Sequence, residues 1–363
     1  MDIDTTNLGH DFVASLLAHF DDRQRDMPWR RTRDPYAIWI SEVMLQQTRV
    51  DVVIPYFERW MARFPTVDDL AAAESQHVLK SWEGLGYYSR ARNLHAAARA
   101  LREKYDSNLP DSADALRLLP GIGAYTAGAV SSIAFGRAEP AVDGNARRVF
   151  ARLLDLEHDS IPGIQRIVRQ VLPPDRPGDF NQAIMELGAT ICTLRPMCDI
   201  CPVRSHCRAL KNDTVALRPA VKPRRPAPTH DLAVVVALRT DDASVLLSQR
   251  PETGLLAGMW EFPARPCTPR SATSNARALL LHAAGTITSH RILQAVTHQF
   301  SHRTETYHPR RFVLTGSMVH QPPAPMTWVP LTELDALPLP AAQRRIARNA
   351  GLSQSDVHDG GPA

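Results

Sequence analysis

Two carboxylates, a glycine hairpin and a loop of four cysteines carry the chemistry that this chain of 363 residues could perform. The first carboxylate is Asp143, in Val142-Asp143-Gly144-Asn145, where a helical pattern begins. Aspartate is a frequent helix N-cap, so capping is its default role. Ahead of it stands Pro120-Gly121-Ile122-Gly123, leading into an apolar helix. Glycines allow close backbone approach, and a helix N-terminus favours an anion, so the hairpin suits a phosphate. A carboxylate held near a bound polyanion works against affinity and therefore points to chemistry. The second carboxylate is Glu42, inside the helical stretch Tyr36 to Thr48. Tyr36, Trp39, Ile40, Val43 and Met44 form the main apolar stripe, and Ile38 and Leu45 flank Glu42 on another face. Burial would raise its pKa and keep a proton available near neutrality, as a general acid requires. A surface glutamate on a two-sided helix fits the same pattern equally well.

The cysteines read Cys192-x5-Cys198-x2-Cys201-x5-Cys207. Four thiolates in one loop can enclose a single compact centre, and both a 4Fe-4S cluster and a four-cysteine zinc site are chemically allowed. Zinc ribbons usually use two separated C-x-x-C knuckles. Only one occurs here, which favours iron–sulfur. Four of the five cysteines in one short stretch argue for a metal site over a disulfide framework. Cys267 stands apart and reads as a free thiol.

The elements that must position these groups are helical up to residue 230. Helical spacing covers 11–20, 36–48, 50–63, 67–83, 88–104, 112–118, 124–135, 144–155, 164–171 and 179–191, with no strong strand pattern between them. The turn Gly84-Leu85-Gly86-Tyr87-Tyr88 sits beside Arg90 and Arg92, a mixture suited to base stacking with phosphate contact. The alternative is that the tyrosines pack in the core. Residues 218–230 (RPAVKPRRPAPTH) read as a semi-rigid Pro-rich basic linker. Beyond it strand patterns appear at 232–238, 245–247, 260–263, 293–300 and 304–314, with a helix near 272–284. The expected division is therefore an all-α core over 1–191, a cysteine loop over 192–217, the linker, an α+β domain over 231–350, and a disordered tail over 351–363. The net charge of +4 permits a polyanionic partner without demanding one. No run of about 18 apolar residues occurs, so no membrane span is expected. The acidic start Met1-Asp2-Ile3-Asp4 lacks a signal peptide's pattern, and the expected location is the cytoplasm.

With these motifs in order, the sequence resembles the MutY-type adenine DNA glycosylases, members of the helix-hairpin-helix glycosylase superfamily. The resemblance rests on Ser41-Glu42-Val43-Met44-Leu45-Gln46-Gln47-Thr48, the Gly84 to Tyr88 turn, Leu119-Pro120-Gly121-Ile122-Gly123, Val142 to Asn145 and the cysteine loop. It implies hydrolysis of the N-glycosidic bond of adenine mispaired with 8-oxoguanine or guanine in duplex DNA, after the adenine is flipped from the stack. It implies that Glu42 protonates adenine N7 and that Asp143 faces the oxocarbenium-like sugar, with Tyr125 and Asn145 supporting them. Trp29, Arg30, Leu45 and Glu186 match the base pocket. Gln47 and Tyr87 match residues that wedge into the duplex, and Gly121 and Gly123 belong to the phosphate hairpin. Cys192, Cys198, Cys201 and Cys207 match the ligands of the 4Fe-4S cluster, although the first spacing is one residue shorter than the family pattern. Related glycosylase-lyases carry a lysine nucleophile where this chain has Tyr125, so little strand cleavage is expected.

The second half resembles the Nudix-like domain of the same family through Gly254-Leu255-Leu256-Ala257-Gly258-Met259-Trp260-Glu261-Phe262-Pro263. Hydrolytic Nudix enzymes hold Mg²⁺ on several helical glutamates. The corresponding stretch here, Ala276 to Gly285, has none, so nucleotide hydrolysis is not expected. The resemblance instead implies lesion reading by Phe300-Ser301-His302, with Ser301 and His302 at the modified purine. A monomer suffices for this role, and other repair proteins could dock on it. The competing readings are a thymine-mismatch or endonuclease III-like glycosylase, and a non-catalytic mismatch-binding protein. The retained Glu42 and Asp143 speak against the last.

Overall fold

The computed structural model describes residues 5–220, 226–280, 286–315 and 325–352. It divides into two compact units, Met1–Ala72 with Asn93–Pro223, and Ala73–Arg92 with Arg224–Ala363. The helices, in chain order, are α1 (His10–Arg23), α2 (Pro35–Leu45), α3 (Val50–Arg63), α4 (Val67–Ala72), α5 (Ser75–Ser81), α6 (Ser89–Lys104), α7 (Ala113–Leu116), α8 (Ala124–Phe135), α9 (Gly144–Leu153), α10 (Ile161–Val171), α11 (Pro177–Thr190) and α12 (Arg208–Lys211). Those of the first unit match the periodicity closely. One expected helix differs: the pattern over 67–83 breaks after Ala72, giving α4 and α5. The second fragment then packs elsewhere. Gln76 bonds the Gly258 carbonyl at 3.0 Å, the Trp260 indole bonds Gln76, and Arg344 pairs with Glu83, so residues 73–92 group with the second compact unit.

In the first unit, α2 packs against α3 and α8, while α11 packs against α1, α8 and α9. Phe12, Leu16, Phe150, Phe180 and Ile184 fill the core between α1, α9 and α11. Asp34 caps α2 by accepting from the Tyr36 and Ala37 amides, with Pro35 setting the first turn. Between α7 and α8 the chain makes a tight hairpin. Gly121 has φ +74°, and a Cβ there would also strike Asn93, so two independent constraints require glycine. Leu119 and Ile122 are buried and anchor the hairpin from below.

The second unit is built on one mixed sheet with strands β1 (Thr229–Arg239), β2 (Ser244–Gln249), β3 (Trp260–Glu261), β4 (Ala264–Pro266), β5 (Thr286–Ile292), β6 (Val296–Gln299), β7 (Thr304–Thr315) and β8 (Met326–Pro330). Their order is β3-β2-β1-β7-β5, with β4 on β1, β6 on β7 and β8 on β2. The long β1 and β7 run parallel, and β1 is buried on both faces. Val234, Val236 and Leu238 face one core with α14 (Ala341–Asn349); Ala233, Val235 and Ala237 face another with α13 (Ala272–Leu280). This is an α+β Nudix-like architecture. The sequence patterns miss β4, β8 and β5, the last with all seven residues exposed and so no alternation, and they extend β6 too far at its start. The end of the expected helix over 272–284, part of the 218–230 linker, and the tail beyond residue 352 lie outside the described residues. No described helix is long and apolar enough to cross a membrane.

Candidate active site

Every side chain from Tyr36 to Met44 is buried, so α2 is not a two-sided surface helix. Glu42 is only 5% exposed. Opposite it stands the second residue of α8, Tyr125, whose hydroxyl donates to Glu42 Oε2 at 2.6 Å. Burial pushes the Glu42 carboxyl up to about 7; the Tyr125 bond and Arg30 oppose the shift and the charge of Asp143 adds to it. The Tyr125 phenol is itself raised well above its ordinary value by burial and then by the two carboxylates, so it remains a hydrogen-bond donor.

Asp143 does cap its helix: Oδ1 accepts from the Ala146 amide at 2.7 Å. Its other oxygen accepts from Asn145 Nδ2 at 3.1 Å. Burial raises this carboxyl too, while the amides of Ala146 and Asn145 and the Arg148 charge hold the rise back. The site therefore contains a carboxyl suited to giving a proton and a second one supported as an anion. Two unlike carboxyls in one buried site are the arrangement that glycosidic bond cleavage uses.

Around them, Glu186 on α11 accepts from Arg25 through Nε at 2.7 Å and Nη2 at 2.8 Å, and from Arg30 Nη2 at 3.0 Å. Burial works against its charge, but the two guanidiniums overcome this and hold the carboxyl below its ordinary value. Glu186 thus fixes Arg30, whose Nε also bonds Gln182 at 3.2 Å. Trp29 is buried edge-on to Phe57. Trp29, Arg30 and Gln182 also line an open polar cavity of about 230 Å³ with Arg33, Arg176 and Asp179. Leu45 ends α2 half-buried, and Gln47 follows exposed with a left-handed φ of 56°. In the second unit, Tyr87 is 47% exposed with φ 45°, while Tyr88 is buried. One tyrosine of the pair thus faces solvent and the other packs. Ser301 and His302 are exposed in the turn between β6 and β7.

The spacing motifs do not name Arg25, Gln182, Arg148 or Arg152, yet the structure places all four at the site's supports. Arg148 Nη2 bonds Asn145 Oδ1 at 2.8 Å and the Gly188 carbonyl at 2.7 Å, while its Nε bonds the Cys192 carbonyl at 2.8 Å. Arg152 is buried and reaches Cys192 Sγ at 3.3 Å and the Thr193 carbonyl at 2.6 Å. The signal was present: Asn145, Arg148 and Arg152 recur at three and four residues along one helix face.

Cys192, Cys198, Cys201 and Cys207 are all half-buried and line one cavity with Ile191, Met197 and Leu210. Among the described residues no three His, Cys, Asp or Glu groups converge as ligands of one ion would. Burial pushes the Cys201 thiol to about 11 and raises Cys198 and Cys207 as well. Three of these sulfurs are desolvated and all four line one space, so a cationic centre held there would compensate their charge as thiolates.

Comparison with known proteins finds one family in the helical region and another in the strand-rich one, the first running through residues 73–92. Residues 40–174 match the HhH-GPD superfamily base excision DNA repair proteins, and residues 234–349 match the NUDIX domain. The chain is similar to the human adenine DNA glycosylase, 38% identical over 93% of this chain and 73% of that one. It is similar to the adenine DNA glycosylase of Mycolicibacterium smegmatis, 46% identical over 54% of this chain and 68% of that one. Among solved structures, a thermostable thymine-DNA glycosylase superposes with TM-score 0.54 at 28% identity, covering 58% of this chain and all of that one.

Proposed function

The chain belongs to the adenine DNA glycosylases, base excision repair enzymes that hydrolyse N-glycosidic bonds, and from that premise we propose that it removes adenine paired with 8-oxoguanine or guanine in duplex DNA. The observation that carries this reading is the 2.6 Å bond between Tyr125 and a buried Glu42, beside an Asp143 held by amide donors. A flipped adenine is a poor leaving group as an anion. Proton transfer from Glu42 to a ring nitrogen lets it depart neutral. As the bond breaks, the sugar gains positive charge, which the Asp143 carboxylate stabilises by proximity or by a transient bond to the anomeric carbon. Water then adds to the anomeric carbon, displacing any bond to Asp143, and its proton returns to Glu42, so the products are free adenine and an abasic site. Tyr125 orients Glu42, Asn145 orients Asp143, and Trp29, Arg30, Leu45 and Glu186 shape the base pocket. Gly121 and Gly123 present the hairpin to phosphate; Gln47 and Tyr87 enter the duplex; Ser301 and His302 read the opposite base.

Cys192, Cys198, Cys201 and Cys207 hold a 4Fe-4S cluster in this reading, which ties the loop together and leaves the excision chemistry to the carboxylates. The enzyme works as a monomer in the cytoplasm at the nucleoid. A phenol at position 125 cannot form an imine with the sugar, so the reaction stops at the abasic site. The test uses duplexes with adenine opposite 8-oxoguanine, adenine opposite guanine, and thymine opposite guanine, each with and without alkali. Adenine release is expected from the first two, with strand breaks only after alkali. Preferential release of thymine would overturn the substrate, and breaks without alkali would overturn the monofunctional assignment.

A further inference from the structure

The turn that carries Ser301 and His302 is closed by one backbone bond, from the Phe300 amide to the Arg303 carbonyl at 2.8 Å. Below it, a chain of side chains runs into the core. The Arg303 guanidinium lies over the Phe300 ring at 5.8 Å, and Phe300 meets His298 edge-on at 4.5 Å. Arg303 Nη2 pairs with Glu305 Oε1 at 2.5 Å. The other Glu305 oxygen accepts from the Tyr307 hydroxyl, and Tyr307 belongs to the core shared with α14. Glu305 is 6% exposed. A carboxylate so buried needs its partners, and removing one leaves an uncompensated charge. Glu261 lies near enough to act on the same region and is paired with Arg250, so its charge is already matched.

Guanine and 8-oxoguanine differ at a single edge, so telling them apart depends on one or two hydrogen bonds held at fixed positions. A hydroxyl can both give and accept such a bond. An exposed two-residue tip ordered only on binding would lose much of that selectivity to its own ordering entropy. We propose that Arg303 and Glu305 are positioning residues for base recognition in this chain: Glu305, fixed from the core by Tyr307, pins the Arg303 guanidinium, and Arg303 pins the Phe300–His302 turn. Neither residue touches the reacting atoms. The role rests on Ser301 and His302 being the groups that read the opposite base.

Single-turnover excision by the full-length protein tests it, with adenine opposite 8-oxoguanine and opposite guanine measured side by side for wild type, Arg303→Ala, Glu305→Gln and Ser301→Ala, with melting temperatures alongside. Arg303→Ala is expected to lower the preference for 8-oxoguanine over guanine by about tenfold, the scale of one well-placed hydrogen bond, while the rate opposite guanine holds. Glu305→Gln keeps an acceptor without the charge and is expected to lower the preference in the same direction. If Ser301→Ala loses the preference but both clamp variants keep it, the clamp is wrong and the reading of the turn stands. If Ser301→Ala also keeps it, the reading of the turn fails and the clamp falls with it. Equal loss opposite both bases, with a lower melting temperature, would reduce the pair to a structural role and overturn the proposal.

Discussion

Glu42 shows how much one buried group decides. Its carboxyl sits at about 7 because burial outweighs the Tyr125 bond. Glu42→Gln keeps the size and an acceptor for Tyr125 but has no proton to give. Binding to the mispair is expected to persist while excision falls by at least about 100-fold, the usual scale of a lost general acid; near-normal excision would place the acid elsewhere. The same substitution makes a stability prediction. In the folded state Glu42 holds its proton to about 7, whereas in the unfolded chain it loses it near the ordinary glutamate value. The stability it contributes is complete below the unfolded pKa and declines as pH rises through about 7. At pH 8 the variant is therefore expected to be the more stable protein, by on the order of 3 kcal/mol, with the gap closing in acid. Chemical denaturation at two pH values reads this directly. Asp143 differs because it caps a helix and is surrounded by donors, so the same burial leaves it better supported as an anion.

At the scale of elements, α9 ties the two halves of the first unit's chemistry together. Its cap is Asp143, its second residue is Asn145, and its Arg148 and Arg152 reach the start of the cysteine loop. The close approach of α11 depends on Gly188, where a Cβ would stand 2.7 Å from Asn145 Cβ. Gly188→Ala must therefore push the start of α9 aside. The expected cost is about 1–3 kcal/mol in stability, together with slower excision, because Asn145 is displaced from Asp143. Thermal melting and single-turnover rates check the two parts, and a variant that melts and reacts like wild type would show the contact to be soft. The cysteine loop is the other element with a direct test. Anaerobically purified protein is expected to absorb in the visible-blue range and to contain iron and acid-labile sulfide, with both lost on Cys201→Ser. Zinc in place of iron would reverse the choice that the single C-x-x-C suggested.

For the whole molecule, the grouping of residues 73–92 is set by long-range bonds and not by local pattern. Composition and periodicity separate a helical region from a strand-rich one at the Pro-rich stretch, and both kinds of architecture are found. Residues 73–92 read as more of the helical core because they are helical in pattern. Their assignment to the second unit comes from Gln76, Glu83 and Arg92, whose partners Gly258, Arg344 and Ala257 lie more than 160 positions away. The family resemblance holds across both regions, so the adenine glycosylase assignment concerns the whole chain and not the helical core alone.

The chemical parts are legible along the chain: two acids, a tyrosine just past the hairpin, four closely spaced cysteines, and a turn that only glycine tolerates. Each of these is encoded within a few residues, where helical spacing, backbone freedom and side-chain type act locally. Which parts meet is a matter of tertiary packing. Tyr125 lies 83 residues from Glu42, and Arg25 lies 161 from Glu186, so nothing local couples them. Only the packing of α2 on α8, and of α11 on α1, turns Glu42 from an ambiguous helix residue into a buried acid and commits Glu186 to a pair of arginines. The reason is desolvation: a carboxyl's charge state and partners depend on what excludes water from it, and that is a property of the assembled helices.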